Sequence, residues 1–385
     1  MKKCIIISDS FKGSISSMEI CDMARQSIGK LFPECQAVSI PVADGGEGTV
    51  DCFVQAIQAQ PVHCAVTGPY GEPIQATYCR SRNRAVVEMA AAAGLPMVGN
   101  RLNPARTSTY GVGQMIRHAV ESGCTEILLG LGGSCTNDGG CGCAAALGVK
   151  FFRKNGDSFV PVGENLNQIA RIDLTEAKQL LDGVQITVMC DVDNPLYGPR
   201  GAAYIFGPQK GADKAMVEQL DSQLKSFDEA LTRELGLSVS QIPGAGAAGG
   251  MGAGCIAFMG AMLKPGIEAV LDMVDFDGQL EGADLVITGE GRIDGQSVHG
   301  KVISGVARRV NPKGIPLVAV VGGIADGAEE AYALGVTAMF GCDRESVGYK
   351  NYAHKAKENY QRTLEDVLRL VRAVEAKTLA NHCTK

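Results

Sequence analysis

Residues 4–8 form a short apolar run rich in Ile, with the length and β-branched content of a buried strand. Ser16 and Glu19 stand at the spacing of a capping box, and Ile20, Met23, Ala24, Ser27, Ile28 and Leu31 then fall on one helical face. Residues 37–42 read as a second strand. Asp44 and Glu47 repeat the capping-box spacing ahead of Val50, Phe53, Val54 and Ile57 at helical period. This β-α-β-α rhythm opens a parallel sheet. It returns late in the chain, with strands at 283–288, 317–321 and 336–340, helices at 302–310 and 329–334, and a long terminal helix over 352–378. Five parallel strands with helices between them predict one doubly wound domain.

The middle, 61–282, has a different pattern. Short alternating stretches at 62–67, 74–79 and 85–89 predict antiparallel strands. A helix follows through Val112, Met115, Ile116, Ala119 and Val120, ended by Gly123, and further strands lie at 127–131 and 186–190. The expected organisation is an α/β domain of residues 1–60 plus 283–385, with a second α/β domain, 61–282, inserted in it. A simple split near residue 240 is the alternative.

Composition narrows the class. A chain of 385 residues with 45% hydrophobic and 20% charged positions is an ordinary globular protein of more than one core. Its 49 Gly have no period of three, so they mark tight turns and close backbone approaches. A net charge of −6 without a basic stripe argues against a nucleic-acid partner. The first apolar run is shorter than the roughly 7–15 residues of a signal-peptide core. No stretch nears the roughly 18 apolar residues of a membrane span. The 14 scattered Cys then fit reduced thiols in a cytoplasmic protein, and Cys141 and Cys143, in a Gly/Ala run, read as small buried hydrophobes.

Ligands of an open parallel sheet bind beyond the carboxyl ends of its strands, so chemistry is expected in the turns there. Those turns carry Asp9, Ser10, Lys12, Gly13 and Ser14; Asp44, Gly45, Gly46, Glu47 and Thr49; Gly289, Glu290, Gly291, Arg292, Asp294 and Gly295; and Gly322 with Gly323. Singly they read as tight turns or helix caps. Together, their Gly, carboxylates and cations suit a charged, oxygen-rich ligand.

The densest loop lies in the middle segment and holds Gly132, Gly133, Ser134, Cys135, Thr136, Asn137, Asp138 and Gly139 between a strand and an Ala-rich helix. Its N–H groups and the helix N-terminus can cradle phosphate, or its glycines can serve helix–strand packing. Asp191, Asp193 and Asn194 follow another strand. If that strand continues, the two carboxylates point to one side and suit Mg²⁺ or a base that takes a hydroxyl proton; otherwise they belong to a turn before Pro195. Residues 207–211 add Lys210. Gly244, Gly246 and Gly249 match a dinucleotide fingerprint, but no strand precedes them. Gly295, Gly300 and Lys301 resemble a P-loop, but Val302 replaces the Mg²⁺-holding hydroxyl, and Lys301 is left as a phosphate contact at a helix start.

In this order and over nearly the whole chain, residues 9–14, 43–49, 132–140, 190–196, 207–211, 246–252 and 282–301 resemble the bacterial glycerate kinases of the first class. Cys135 stands where Ala is expected. The resemblance implies ATP and Mg²⁺ as cofactors, D-glycerate as acceptor and 2-phosphoglycerate as the usual product, with 3-phosphoglycerate the other. It implies a flavodoxin-like domain with an inserted α/β domain and the site in the cleft between them. Phosphoryl transfer needs mainly positioning and charge neutralisation. On this reading Asp191, Lys12 and Asp44 are catalytic, with Asp191 as the base; Ser14, Gly45, Gly46, Glu47 and Arg292 hold glycerate. Gly132, Gly133, Ser134, Asn137, Gly139, Lys210 and Lys301 hold ATP and its phosphates, and Asp193 and Asp294 hold the metal. The partners are small molecules, without nucleic acid or membrane, and the chain is a monomer or homodimer. Two other readings remain: a dinucleotide-dependent oxidoreductase of a small hydroxy acid, which needs a strand–turn–helix unit around 244–254, and a two-domain binding protein without catalysis.

Overall fold

The computed structural model describes residues 1–42, 48–295, 301–344 and 353–383. The chain divides into two compact units, Met1–Ala43 with Val270–Lys385, and Asp44–Ala269. The second unit is thus inserted in the first, at 43 and 269 rather than at 60 and 282. Helix Thr49–Ala56 accounts for the first shift. It packs on strands of the second unit, and Glu88, at the end of strand Arg84–Glu88, accepts a hydrogen bond from the Val50 N–H near its N-terminus.

Five strands of the first unit, Lys3–Ser8, Gln36–Pro41, Leu285–Gly289, Leu317–Val321 and Ala338–Gly341, pair in parallel. Numbered along the chain, they lie in the order 2-1-3-4-5, the flavodoxin-like arrangement. Cys4 to Ser8 face Leu285 to Gly289 one for one, although the insertion separates them in sequence. Helix Ser17–Leu31 starts at the expected capping box: the Ser16 hydroxyl accepts from the Glu19 N–H, and the Glu19 carboxylate accepts from the Ser16 N–H. The second expected box, Asp44 with Glu47, lies outside the described residues. Helix Thr49–Ala56 has Gly48 at φ 90° as its N-cap, and Glu88 accepts from the Val50 N–H near its start.

The second unit holds a six-stranded sheet. Strands Met262–Lys264, Gln185–Met189, Glu126–Gly130 and Arg84–Glu88 run parallel, and Pro73–Ser81 and Gln60–Thr67 add an antiparallel edge. Glu88, Gly130, Met189 and Lys264 stand level across the parallel strands, so the turns after them emerge on one edge. Helix Lys214–Leu235 was not among the expected elements; it buries Val217, Leu220, Leu224, Phe227 and Leu231 at helical spacing.

The glycine-rich segment around 244–254 has a packing purpose. It leads into helix Ala247–Met259 with Gly249 at φ 70° and Gly250 at φ 86°. A Cβ on Gly249 would lie 2.0 Å from the Thr136 carbonyl oxygen, and one on Gly254 would lie 2.4 Å from that of Gly139. The Gly139 N–H donates to Gly249 O at 3.1 Å. No strand leads into this segment, so the unit required by the oxidoreductase reading is absent from it.

Two glycine substitutions test this account. Gly249→Ala should lower stability by about 1–3 kcal/mol through overpacking, and by a further ~1–2 kcal/mol through its left-handed backbone. Gly29→Ala, in helix Ser17–Leu31 with nothing within 4 Å of the new methyl, should raise stability by about 0.5–1 kcal/mol. Urea unfolding of the two variants reads both, and shifts of the same sign would overturn the packing argument.

Candidate functional site

Beyond strand Glu126–Gly130 the chain runs through 131–140 into helix Cys141–Ala146. Three segments hold this loop. Along one side, Met89 N–H donates to Gly130 O, Leu95 N–H to Gly133 O, and Cys135 N–H to Ala93 O. Behind it lies the glycine-rich segment just described. The third holder is Lys210, in a 3-10 turn, Pro208–Lys210, that ends at Gly211 with φ 95°.

Lys210 is 2% exposed. Its ammonium donates to Ser134 Oγ at 2.9 Å and to Thr136 O at 2.7 Å, and no carboxylate among the described residues forms an ion pair with it. Burial lowers the ammonium from its usual 10.5 to about 8, against the weaker opposing influence of Cys135 and Asp138. Asn137 is 1% exposed, and neither its amide nitrogen nor its amide oxygen has a hydrogen-bond partner; the buried Thr136 hydroxyl has none either. Burial pushes the Cys135 thiol up to about 12, so it packs as a neutral small group where the resemblance led us to expect Ala.

Asp138 does a different job from its neighbour. It is fully buried, and its carboxylate accepts from Thr109 N–H and Thr109 Oγ, both at 2.8 Å, and from the N–H groups of Gly140 and Gly142, both at 3.2 Å. Thr109 Oγ in turn accepts from Cys143 N–H. The carboxylate therefore ties the start of helix Tyr110–Glu121 to the start of helix Cys141–Ala146. Burial still holds its carboxyl above the usual range, outweighing the donors. Sequence reasoning passed over Asp138, Thr109 and Glu88; only the Gly-flanked position of Asp138 in the loop signalled any of them.

Asp191 and Asp193 do not stand on a continuing strand. The strand ends at Met189, and 190–196 is irregular. Asp191 Oδ1 accepts from the Gly266 N–H at 2.7 Å, at the head of helix Gly266–Met273, where an anion is favoured. Asp193 is exposed and forms an ion pair with Arg200 at 3.4 Å, a contact worth little in water. Among the described residues, no cluster of three or more His, Cys, Asp or Glu can hold a metal ion.

In the first unit, the turns after the first, third and fourth strands come together. The Ser14 N–H and hydroxyl both donate to Phe11 O, and Gly13 takes φ 80° between them. A Cβ on Gly291 would lie 3.3 Å from Phe11 Cα, and one on Gly322 would lie 2.3 Å from Gly291 O. Arg292–Ile293 pairs in parallel with Gly323–Ile324. Lys12 and Arg292 are exposed on this edge, and Asp294 is half-buried. Lys301 is the exposed N-cap of helix Val302–Val310. The short strand Arg292–Ile293 stands between strand Leu285–Gly289 and Lys301, so the P-loop pattern does not follow directly from the strand. Asp44, Gly45, Gly46 and Glu47 lie outside the described residues, and no described helix is long and apolar enough to cross a membrane.

Known proteins share this sequence and this fold. The sequence model of the Glycerate kinase family matches residues 4–372. A "Glycerate kinase" of Bacillus cereus is 44% identical over 368 residues, covering 95% of this chain and 97% of that one. The "Glycerate 2-kinase" of Escherichia coli K12 is 44% identical over 341 residues, covering 88% of this chain and 90% of its own length. A crystal structure of a chain designated glycerate kinase 2 from Salmonella typhimurium LT2 superposes with a TM-score of 0.86 at 39% identity, covering 97% of this chain and 99% of that one. The chain belongs to the glycerate kinase family, whose members transfer phosphate from ATP to an alcohol group of glycerate.

Proposed function

We propose that this chain phosphorylates D-glycerate at its 2-hydroxyl, giving 2-phosphoglycerate and ADP. The observation that carries the reading is the loop 131–140, where a buried ammonium without a carboxylate partner and an unpaired buried amide await an anionic, hydrogen-bonding substrate. The choice of the 2-hydroxyl rests on the designation of the Escherichia coli relative.

The chemistry asks for four things. The acceptor and nucleotide must be held, and the loop residues Gly132, Gly133, Ser134, Asn137, Gly139 and Lys210 supply one anion-holding element. Charge must be neutralised, and Lys12, Arg292 and Lys301 are exposed cations at turns and a helix start of the first unit. Asp193 and Asp294 are our candidates to hold Mg²⁺, which would need only one or two carboxylates beside substrate phosphates. The ion supplies charge stabilisation to the phosphoryl oxygens. Finally, a base must take the hydroxyl proton as the oxygen bonds to the γ-phosphorus and ADP leaves. Asp191 is our candidate, its carboxylate fixed by the Gly266 N–H. Roles for Ser14, Asp44, Gly45, Gly46 and Glu47 on glycerate rest on the family resemblance. A cytoplasmic setting agrees with cysteines that are all free where their side chains are described.

Product analysis by phosphorus and carbon NMR after turnover with ATP and D-glycerate should place the phosphate on C2. Phosphate on C3 overturns the regiochemistry, and no ATP consumption with D-glycerate overturns the substrate.

Asp191→Asn keeps an oxygen that can accept from Gly266 but removes the charge, so the fold should hold. If Asp191 is the base, kcat should fall by about 10²–10⁴-fold, with the thermal midpoint and ATP affinity unchanged. A variant with wild-type kcat refutes the assignment, and one that loses Mg²⁺ affinity makes Asp191 a metal ligand.

A further inference from the structure

The buried cluster around Lys210 has a polar inventory that discriminates between ligands. An ammonium has three N–H donors, and two are used, on Ser134 Oγ and Thr136 O. The third donor and the positive charge remain. The Asn137 amide offers donors on one side and an acceptor on the other, and neither is used. This holds whichever way the amide is turned. The Thr136 hydroxyl can serve either role. Buried polar groups left unsatisfied destabilise the folded chain, and three such atoms stand together here. Asp138 cannot relieve it, because its oxygens are engaged by Thr109, Gly140 and Gly142.

An occupant that satisfies this set must bring a negative charge, an acceptor and a donor within one small molecule. The ionised phosphates of ATP bring charge and acceptors but no donor, and leave one side of the Asn137 amide unpaired. A ribose hydroxyl can donate but brings no charge for Lys210. A 2-hydroxy acid brings a carboxylate and a hydroxyl on adjacent carbons.

We propose that the cluster of Lys210, Asn137 and Thr136 is the acceptor site, with the carboxylate of D-glycerate on Lys210 and a glycerate hydroxyl on the Asn137 amide, rather than a site for the phosphates of ATP. The inference rests on the kinase reading above and reassigns Ser134, Asn137 and Lys210 within it. Ser134 then acts by positioning: its hydroxyl accepts from Lys210 and fixes the direction of the ammonium.

Proton linkage gives a signature that needs no mutation. The titratable groups that face Lys210 are Cys135, a thiol held neutral up to about 12, and Asp138, whose carboxyl is raised by burial. With the ammonium lowered to about 8, the free protein just above that pH has lost part of the Lys210 charge. A bound carboxylate restores it and draws in a proton.

Calorimetry on the full chain just above that pH, in two buffers of different ionisation enthalpy, should show proton uptake with D-glycerate and none with a non-hydrolysable ATP analogue. Asn137→Leu should weaken D-glycerate binding about tenfold or more, while the analogue keeps its affinity within about twofold. On the wild-type protein, propanoate, which lacks the hydroxyl, should bind about tenfold more weakly than D-lactate. These wild-type measurements decide the matter if Asn137→Leu fails to fold. Proton uptake with the ATP analogue, or loss of its affinity in Asn137→Leu, makes the cluster a phosphate site and overturns the proposal. Unchanged binding of both ligands in the variant makes it a structural clamp and also overturns it. In either case turnover of D-glycerate by the wild type leaves the kinase reading standing, whereas absence of that turnover sinks the kinase reading itself.

Discussion

An ammonium held inside a protein without a carboxylate beside it constrains everything around it. Lys210 can be buried only because Ser134 and the Thr136 carbonyl receive two of its donors. Those acceptors are in place only because the loop 131–140 is pinned from behind. The pinning requires backbone against backbone: Gly249 and Gly254 lie so close to Thr136 and Gly139 that a Cβ on either would meet a carbonyl oxygen. Asp138 closes the same loop at its far end by collecting donors from two helix starts. The ammonium of Lys210, from the turn Pro208–Lys210, and the carboxylate of Asp138 thus hold the same loop, each satisfied by neutral groups and not by the other. That separation leaves the cation with charge to spend on a ligand.

The two carboxylates at the ends of parallel strands follow a related logic. Glu88 caps the start of helix Thr49–Ala56, and Asp191 caps the start of helix Gly266–Met273. The first helix begins just past one boundary of the inserted unit, and the second contains the other boundary. A carboxylate at a helix N-terminus satisfies an orphan donor and meets the positive end of the helix dipole. The chain is therefore anchored to the inserted unit near both boundaries by the same device. A base at Asp191 would inherit a fixed position from it.

The first unit was legible because its strands are short, largely apolar and separated by helices with clear periodicity. Residues 4–8 and 302–310 appear nearly as the pattern draws them. The family was legible because ordered motifs survive in the sequence whatever their geometry. What the sequence withheld depends on contacts between distant segments. Helix Thr49–Ala56 has its Val50 N–H met by Glu88, a residue far off in sequence that no local pattern signals. Asp191 and Asp193 suggest alternation on a strand that ends before them at Met189. Gly244, Gly246 and Gly249 imitate a nucleotide fingerprint although the close packing of Gly249 against Thr136 explains one of them without any nucleotide. The helix Lys214–Leu235 was readable from Val217, Leu220, Leu224, Phe227 and Leu231, and its absence from the expected elements reflects a segment overshadowed by glycine motifs on both sides.

Asn137 and Asp138 show the limit most sharply. They are adjacent, nearly isosteric and both buried, and the sequence gives no sign that one is saturated with donors while the other has no partner. Lys210, which holds the same loop, adds a cost of its own. Its folded ammonium titrates near 8, below the ordinary 10.5, so between those values the unfolded chain binds the proton more firmly. Stability therefore rises with pH across that window, and below it the full cost of the buried charge is present. A clamp selected for stability alone has no reason to keep a charge that weakens the fold at neutral pH; a neutral side chain of similar length would serve it better. A charge kept at such a cost, next to an amide left unpaired, is explained when a ligand supplies the missing anion and the missing hydrogen bonds together.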